Sequence, residues 1–167
     1  RRGERARRLS VQEEARVDLS KFRIEEAYQF AATIEQGGFD FYARLTSRCL
    51  DPRVRNELRF LRDEEAVHKG WFLSQLRARG GVPRGLLPDG LRKELDRRFL
   101  FPMERVFAAQ SIDNDGALRL GSELEGETIG LFESLRGAVG PEHAADLDRI
   151  ITEEERHRSK LEAIRAL

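Results

Sequence analysis

Apolar residues recur every three or four positions along most of the chain, which is the period of an amphipathic α-helix. This pattern predicts long helices at about 20–48, 53–79, 112–137 and 141–166. The stretches between the prolines are rich in Ala, Leu, Glu and Arg, which are strong helix formers. Nothing in the sequence has the alternating pattern of a strand. The sequence therefore predicts an all-α fold.

The connections between these helices are of two kinds. Pro52 and Pro141 each follow a turn residue, and proline is favoured in the first turn of a helix, so two tight turns are predicted. Short turns make consecutive helices antiparallel neighbours. The middle connection begins with the breaker-rich loop at 80–90, and we predict a short helix at about 89–99 and an interruption at Pro102. The expected architecture is two helical hairpins joined by a long crossover containing a short helix.

The two predicted hairpins resemble each other in sequence. ATIEQGGFDFYARL at 32–45 aligns with SELEGETIGLFESL at 122–135, and LRFLRDEEAVH at 58–68 aligns with LDRIITEEERH at 147–157. The second copies lie 90 and 89 residues after the first ones. Two matches at nearly the same offset indicate an internal repeat.

Each long helix has an apolar stripe that is interrupted near its middle by Glu or by Glu-x-x-His. Positions three or four apart share a helix face, so these polar residues should face inward with the apolar ones. Because the interruptions are central, we expect them to meet in one buried layer. The predicted stripes are Tyr28, Ala31, Glu35, Phe39, Tyr42 and Leu45; Leu58, Leu61, Glu65, His68, Phe72 and Leu76; Leu118, Gly121, Glu125, Ile129, Phe132 and Leu135; and Leu147, Ile150, Glu154, His157, Leu161 and Ile164.

A buried layer of carboxylates and imidazoles indicates a metal site. Burying one uncompensated ion costs several kcal/mol, and neighbouring carboxylates repel each other. Two divalent cations would balance four carboxylates and hold the ligands deprotonated. Mixed oxygen and imidazole ligands suit iron, with manganese as the alternative. The six predicted ligands are Glu35, Glu65, His68, Glu125, Glu154 and His157.

This interpretation has alternatives. A helical phase shifted by one residue would turn Glu64 and Glu153 inward, whereas we predict that both face outward. A single Glu-x-x-His on a charged helix is usually a surface pair, so the prediction depends on the matched positions of the repeat taken together. Tyr42 is expected to pack in the core, or to donate a hydrogen bond to a ligand.

Composition narrows the class of protein. The 167 residues are 40% hydrophobic, which suits one domain with a substantial core. Thirty basic and thirty acidic residues cancel, so no net charge attracts nucleic acid or an anionic membrane, and no apolar run is long enough for a membrane segment. The single cysteine, Cys49, excludes an internal disulfide and a four-cysteine iron site. We expect a cytoplasmic protein with a flexible basic extension over 1–19 and a bundle domain over 20–167.

The constellation resembles the ferritin-like di-iron carboxylate superfamily, and within it the rubrerythrin branch most closely. The resemblance covers about residues 20–166 and depends on the six predicted ligands and on the aromatic pair Phe41-Tyr42. It implies a di-iron centre in which Glu65 and Glu154 bridge or chelate the metals and the other four residues are terminal ligands. It also implies that the catalytic groups are the carboxylates, namely Glu35, Glu65, Glu125 and Glu154.

Two features depart from the family pattern. Peroxidase rubrerythrins often carry another Glu three residues after the ligand of the third helix, and that position is Thr128 here. The rubredoxin-like domain, which binds iron through four cysteines, is missing from a chain with one cysteine. Electrons would therefore come from a separate donor protein or from ferrous iron.

The resemblance implies a non-haem di-iron oxidoreductase, either a peroxidase or a ferroxidase. Its substrates would be hydrogen peroxide, dioxygen or ferrous iron, and by analogy it would form a homodimer. One alternative is a non-enzymatic module for iron binding, storage or delivery, as the soluble part of a larger protein. Another is a bundle that serves protein interaction, with an empty, hydrogen-bonded polar layer.

Overall fold

The computed structural model describes residues 23–83, 87 and 89–167, apart from the side chains of 98–102. This part of the chain is all-helical and bundle-like. Its helices are α1 (Ile24–Arg48), α2 (Pro52–Ala78), α3 (Asp89–Ala108), α4 (Asn114–Ala138) and α5 (Pro141–Arg165). The predicted basic extension, and residues 20–22 at the predicted start of the first helix, lie outside the described residues. Where the structure describes them, the four predicted long helices are confirmed to within about two residues.

The predicted proline turns are confirmed as helix starts. Pro52 is the first residue of α2. A backbone N–H at this position makes no intrahelical hydrogen bond, so proline, which lacks the N–H, costs nothing there. The carboxylate of Asp51 caps this helix by accepting hydrogen bonds from the backbone N–H groups of Arg53 (2.7 Å) and Val54 (3.3 Å). Pro141 is likewise the first residue of α5, where Gly140 is the N-cap and offers no side-chain cap. These local signals set where α2 and α5 begin.

The prediction for the middle of the chain was wrong in one respect. We expected a short helix at 89–99 and a break at Pro102, but α3 is one continuous helix from Asp89 to Ala108. A proline inside a helix costs about 3 kcal/mol, because it removes one backbone hydrogen bond and crowds the preceding turn. Burial of Leu91 and Val106, on either side of the proline, offsets that cost.

The helices pack in pairs. The most extensive contacts are those of α1 with α2 and of α4 with α5, and α3 lies against α1 and α4. The amide of Asn114, at the start of α4, donates a hydrogen bond to Asp51, the N-cap of α2 (3.0 Å). The chain must therefore return along the molecule between α2 and α4. The 20 residues of α3 span about 30 Å, which is enough for that return.

The core lies along the inner faces of these helices. Aromatic rings fill it beside the polar layer, where the rings of Phe72 and Phe132 stack with centroids 5.6 Å apart. Cys49 is buried as a free thiol at the end of α1. Among the described helices, none is both long and apolar enough to cross a membrane.

Candidate metal centre

All six predicted ligands are buried side chains in the middle of their helices. The most exposed is His157, at 7% of its full accessibility, and the four glutamates are at 0–1%. Their burial follows from the apolar residues one turn before and after each of them. The residues come from four helices: Glu35 from α1, Glu65 and His68 from α2, Glu125 from α4, and Glu154 and His157 from α5.

The structure brings these side chains together in two overlapping groups. Each residue of a group offers one ligand atom, and within a group these atoms lie within 4.8 Å of one another. The first group is Glu35, Glu65, His68 and Glu154, and the second is Glu125, Glu154 and His157. Glu154 belongs to both groups, which is the position a bridging carboxylate would need. A bridging role for Glu65, which falls in one group, stays a prediction.

Several ligand atoms have no hydrogen-bond partner among the described residues. Leaving such a buried polar atom unpaired costs about 1–3 kcal/mol, and more when it is charged. A cation bound between the helices would coordinate these atoms and remove that penalty. Each of the two groups therefore fits a metal ion with oxygen and nitrogen ligands. The atoms without a hydrogen-bond partner are both carboxylate oxygens of Glu35, Oε1 of Glu65 and Oε2 of Glu125, together with Nδ1 of His68 and Oε1 of Glu154, which face each other as an ion pair.

The remaining polar contacts join the helices across the layer. Tyr42 is fully buried in the core, as predicted, and its hydroxyl on α1 also donates a hydrogen bond to Oε1 of Glu125, a predicted ligand on α4. Nδ1 of His157 lies 3.0 Å from Oε2 of Glu154. Nδ1 of His68 lies 2.8 Å from Oε1 of Glu154, without hydrogen-bond geometry. The two imidazole rings are nearly parallel, with centroids 6.0 Å apart.

Crowding of the carboxyl groups shifts their pKa values in opposite directions. Burial first, and the charge of Glu154 second, raises the pKa of Glu35, Glu65 and Glu125 well above the usual range. Burial alone would also raise the pKa of Glu154, but contacts with both histidines lower it to about 2. In the metal-free protein the layer thus favours one ionised carboxylate and three protonated ones.

His68 is also shifted. Burial by itself would lower the pKa of its imidazole, but nearby carboxylates, Glu154 foremost, raise it to about 9. A protonated His68 beside an ionised Glu154 partly replaces the positive charge that a metal would bring. This arrangement is typical of a ligand set whose protons are released when a cation binds.

The structure differs from the prediction at Glu153 and at one stripe position on each of α1 and α4. Glu153 does not simply face outward, because its Oε2 lies 2.6 Å from Nε2 of His68. Gly38 and Thr128 are buried, whereas Phe39 and Ile129, which we had placed in the stripes, are only partly so. Gly38 and Thr128 lie three residues after Glu35 and Glu125. The predicted stripes instead used the residues four positions after them, Phe39 and Ile129.

Comparison with protein-family models, with curated proteins and with solved structures found no match to this chain.

Proposed function

We propose that this protein is a non-haem di-iron oxidoreductase that reduces hydrogen peroxide or dioxygen. The observation that carries the proposal is the set of unpaired, buried ligand atoms shared among four helices around Glu154. Hydrogen bonds within the layer leave several atoms of its four carboxylates and two imidazoles without a partner among the described residues. Two divalent cations would neutralise the four carboxylate charges.

The arrangement of the helices supports placing the site in a ferritin-like bundle. The paired packing of α1 with α2 and of α4 with α5 matches two helical hairpins. The return of the chain between α2 and α4 matches the long crossover of such a fold. The internal repeat supports the same assignment, because it places equivalent ligands on equivalent helices.

The chemistry would be divided between metals and protein. When bound, a ferrous pair would supply two electrons, which with two protons reduce one hydrogen peroxide to two water molecules. The ligand residues hold the site closed to bulk water, as their burial indicates. The Tyr42 hydroxyl keeps Glu125 oriented by donating to one carboxylate oxygen, which leaves the other free to bind a cation.

The residue at position 128 bears on the choice of substrate. Thr128 is buried at the site layer and has no carboxylate. The ligand exchange associated with peroxidases of the rubrerythrin type uses a glutamate at this position, so its absence favours ferrous iron as substrate with dioxygen or peroxide as oxidant. A peroxidase would need a separate donor protein for repeated cycles, whereas a ferroxidase would not.

Metal content tests the proposal directly. Anaerobic reconstitution with Fe²⁺, followed by desalting and elemental analysis, should give about two irons per chain. Glu65→Ala should lose most of this iron, because it removes a buried ligand. Glu64→Ala is the matched control, since this half-exposed neighbour is outside both ligand groups, and it should keep two. Equal iron content in the two variants would contradict the ligand assignment.

Oxidant consumption then separates the activities. A ferroxidase oxidises added Fe²⁺ over many turnovers with dioxygen or peroxide alone. A peroxidase stops after one turnover per site unless a reductant is added. Two bound irons with no oxidation above the rate of free Fe²⁺ would support the storage or delivery alternative. Less than one iron per chain in a folded protein would overturn the metal proposal itself.

A further inference from the structure

A hydrogen bond across the seam between α2 and α5 connects the ligand layer to the surface. Oε2 of Glu153 on α5 lies 2.6 Å from Nε2 of His68 on α2. The Glu153 side chain is 29% exposed, whereas that of His68 is at 3%. The other oxygen of Glu153 accepts a hydrogen bond from Arg149, one turn earlier on α5 (3.5 Å). A chain of polar contacts thus runs from Arg149 through Glu153 to His68.

This contact determines which ring nitrogen faces the site. A carboxylate can only accept a hydrogen bond, so the hydrogen between the two groups is on Nε2 of His68. The opposite nitrogen, Nδ1, then points into the layer, where it lies 2.8 Å from Glu154 and 3.7 Å from Glu35. An outer carboxylate that orients a ligating imidazole in this way also makes the imidazole a stronger ligand.

In the described part of the chain, the second histidine of the layer, His157, has no equivalent outer carboxylate. Glu64 precedes Glu65 as Glu153 precedes Glu154, so it is the counterpart that would be expected to hold His157. Among the described residues, however, the only carboxylate that pairs with His157 is Glu154, which contacts Nδ1. The ring of His157 instead meets Phe60 edge-on, with centroids 6.4 Å apart. The two histidines are therefore held unequally.

We propose that Glu153 is a positioning residue that aims Nδ1 of His68 at the metal centre, and that the two metal positions consequently differ in affinity. This inference rests on the proposed metal centre. The position that uses His68 has three carboxylates and an imidazole held from outside by Glu153. The position that uses His157 has two carboxylates, and among the described residues no outer carboxylate holds its imidazole. The repeat supplies similar motifs to both halves, and the contact of Glu153 with His68 adds to the difference in the number of carboxylates.

The test is a stepwise anaerobic Fe²⁺ titration against a chromophoric chelator, which yields the two dissociation constants. Replacing an outer-shell partner of a metal-bound histidine commonly weakens metal binding by about 10- to 100-fold. We expect Glu153→Ala to weaken the tighter site by that factor and to leave the weaker one nearly unchanged. Glu153→Gln keeps an acceptor oxygen and should recover much of the loss. Glu64→Ala, the repeat-matched control, should leave both constants at the parent value.

The outcomes distinguish this inference from the proposed function. Two parent-like constants in Glu153→Ala would overturn the positioning role while leaving the metal centre intact. Equal weakening of both constants, with a lowered unfolding midpoint of the metal-free protein, would assign Glu153 a structural role and also overturn it. A Glu64→Ala loss as large as that of Glu153→Ala would overturn the asymmetry. A folded parent that binds no Fe²⁺ would overturn both proposals together.

Discussion

At the scale of one residue, Glu35 is an unusual core residue because it buries a carboxyl group that has no hydrogen bond within the described part of the chain. Its side chain is fully buried on α1, and neither carboxylate oxygen has a hydrogen-bond partner among the described residues. In the metal-free protein such a group opposes folding, because it has lost its hydration and its contact with Nδ1 of His68 is long, at 3.7 Å. In the proposed metal centre, Glu35 would serve binding and not stability.

Replacing this carboxyl with an apolar side chain should stabilise the metal-free fold. We expect Glu35→Leu to raise the free energy of unfolding by about 1–3 kcal/mol, since it removes a buried polar group and keeps a similar volume. Urea unfolding in the presence of a chelator measures the change. Glu64→Leu, on a half-exposed position, should change it by no more than about 0.5 kcal/mol. A clear destabilisation by Glu35→Leu would mean that Glu35 has partners in the folded protein.

At the scale of the helices, Gly38 on α1 leaves room for the Glu65 side chain of α2. A Cβ at this position would lie 2.5 Å from Oε2 of Glu65, well inside contact distance. Gly70 on α2 is different, because it is exposed and a Cβ there would meet nothing within 4 Å. A side chain at Gly38 would therefore displace the Glu65 carboxylate, whereas the surroundings of Gly70 leave room for one.

Alanine substitutions should separate these two cases. Gly70→Ala should raise the free energy of unfolding by about 0.5–1 kcal/mol, because alanine loses less backbone entropy in a helix. Gly38→Ala should displace the Glu65 carboxylate and weaken Fe²⁺ binding about tenfold or more, in line with the sensitivity of metal ligands to their supports. Urea unfolding and the chelator competition measure the two effects. Parent-like Fe²⁺ binding in Gly38→Ala would place the Glu65 carboxylate away from this contact.

At the scale of the whole molecule, the polar layer makes stability depend on pH. The raised pKa values mean that Glu35, Glu65 and Glu125 keep protons that the unfolded chain releases near its ordinary value of 4.5. Stability is therefore lost as pH rises above that value. His68 acts in the same direction: its contribution is complete below the ordinary 6.5 and is lost as pH rises through about 9. The pKa of Glu154 is lowered to about 2, so its contribution to stability is lost only as pH falls from the ordinary 4.5 towards that value.

We accordingly predict that the metal-free protein becomes less stable from about pH 5 to pH 9. Metal binding releases the same protons, so the affinity for Fe²⁺ should rise over this range while metal-free stability falls. Urea unfolding with a chelator at pH 5, 7 and 9, and Fe²⁺ competition at pH 6 and 8, measure the two trends. Glu35→Leu should flatten the first trend, because it removes one of the titrating carboxyls. Metal-free stability that rises with pH would contradict the buried, protonated layer.

Much of this molecule could be predicted from local features of its sequence. The starts of α2 and α5 follow from Pro52 and Pro141, whose effect on the backbone needs no partner helix. The inward direction of the six ligands follows from helical periodicity, because each shares a face with apolar residues one turn away. The internal repeat then indicated that the polar positions belong to one layer, and the structure brings them together.

What only the tertiary structure decided depends on contacts between helices that are distant in sequence. The continuity of α3 through Pro102 could not be predicted, since packing on α1 and α4 offsets an unfavourable local preference. The burial of Gly38 in place of Phe39 depends on the packing of α2 on α1, where the Glu65 carboxylate lies against Gly38. Likewise, nothing in two equivalent Glu-x-x-His motifs distinguishes Glu153 from Glu64. Their difference arises because the sequence sets each helix face, whereas the distance and tilt between two faces depend on all the helices packing at once.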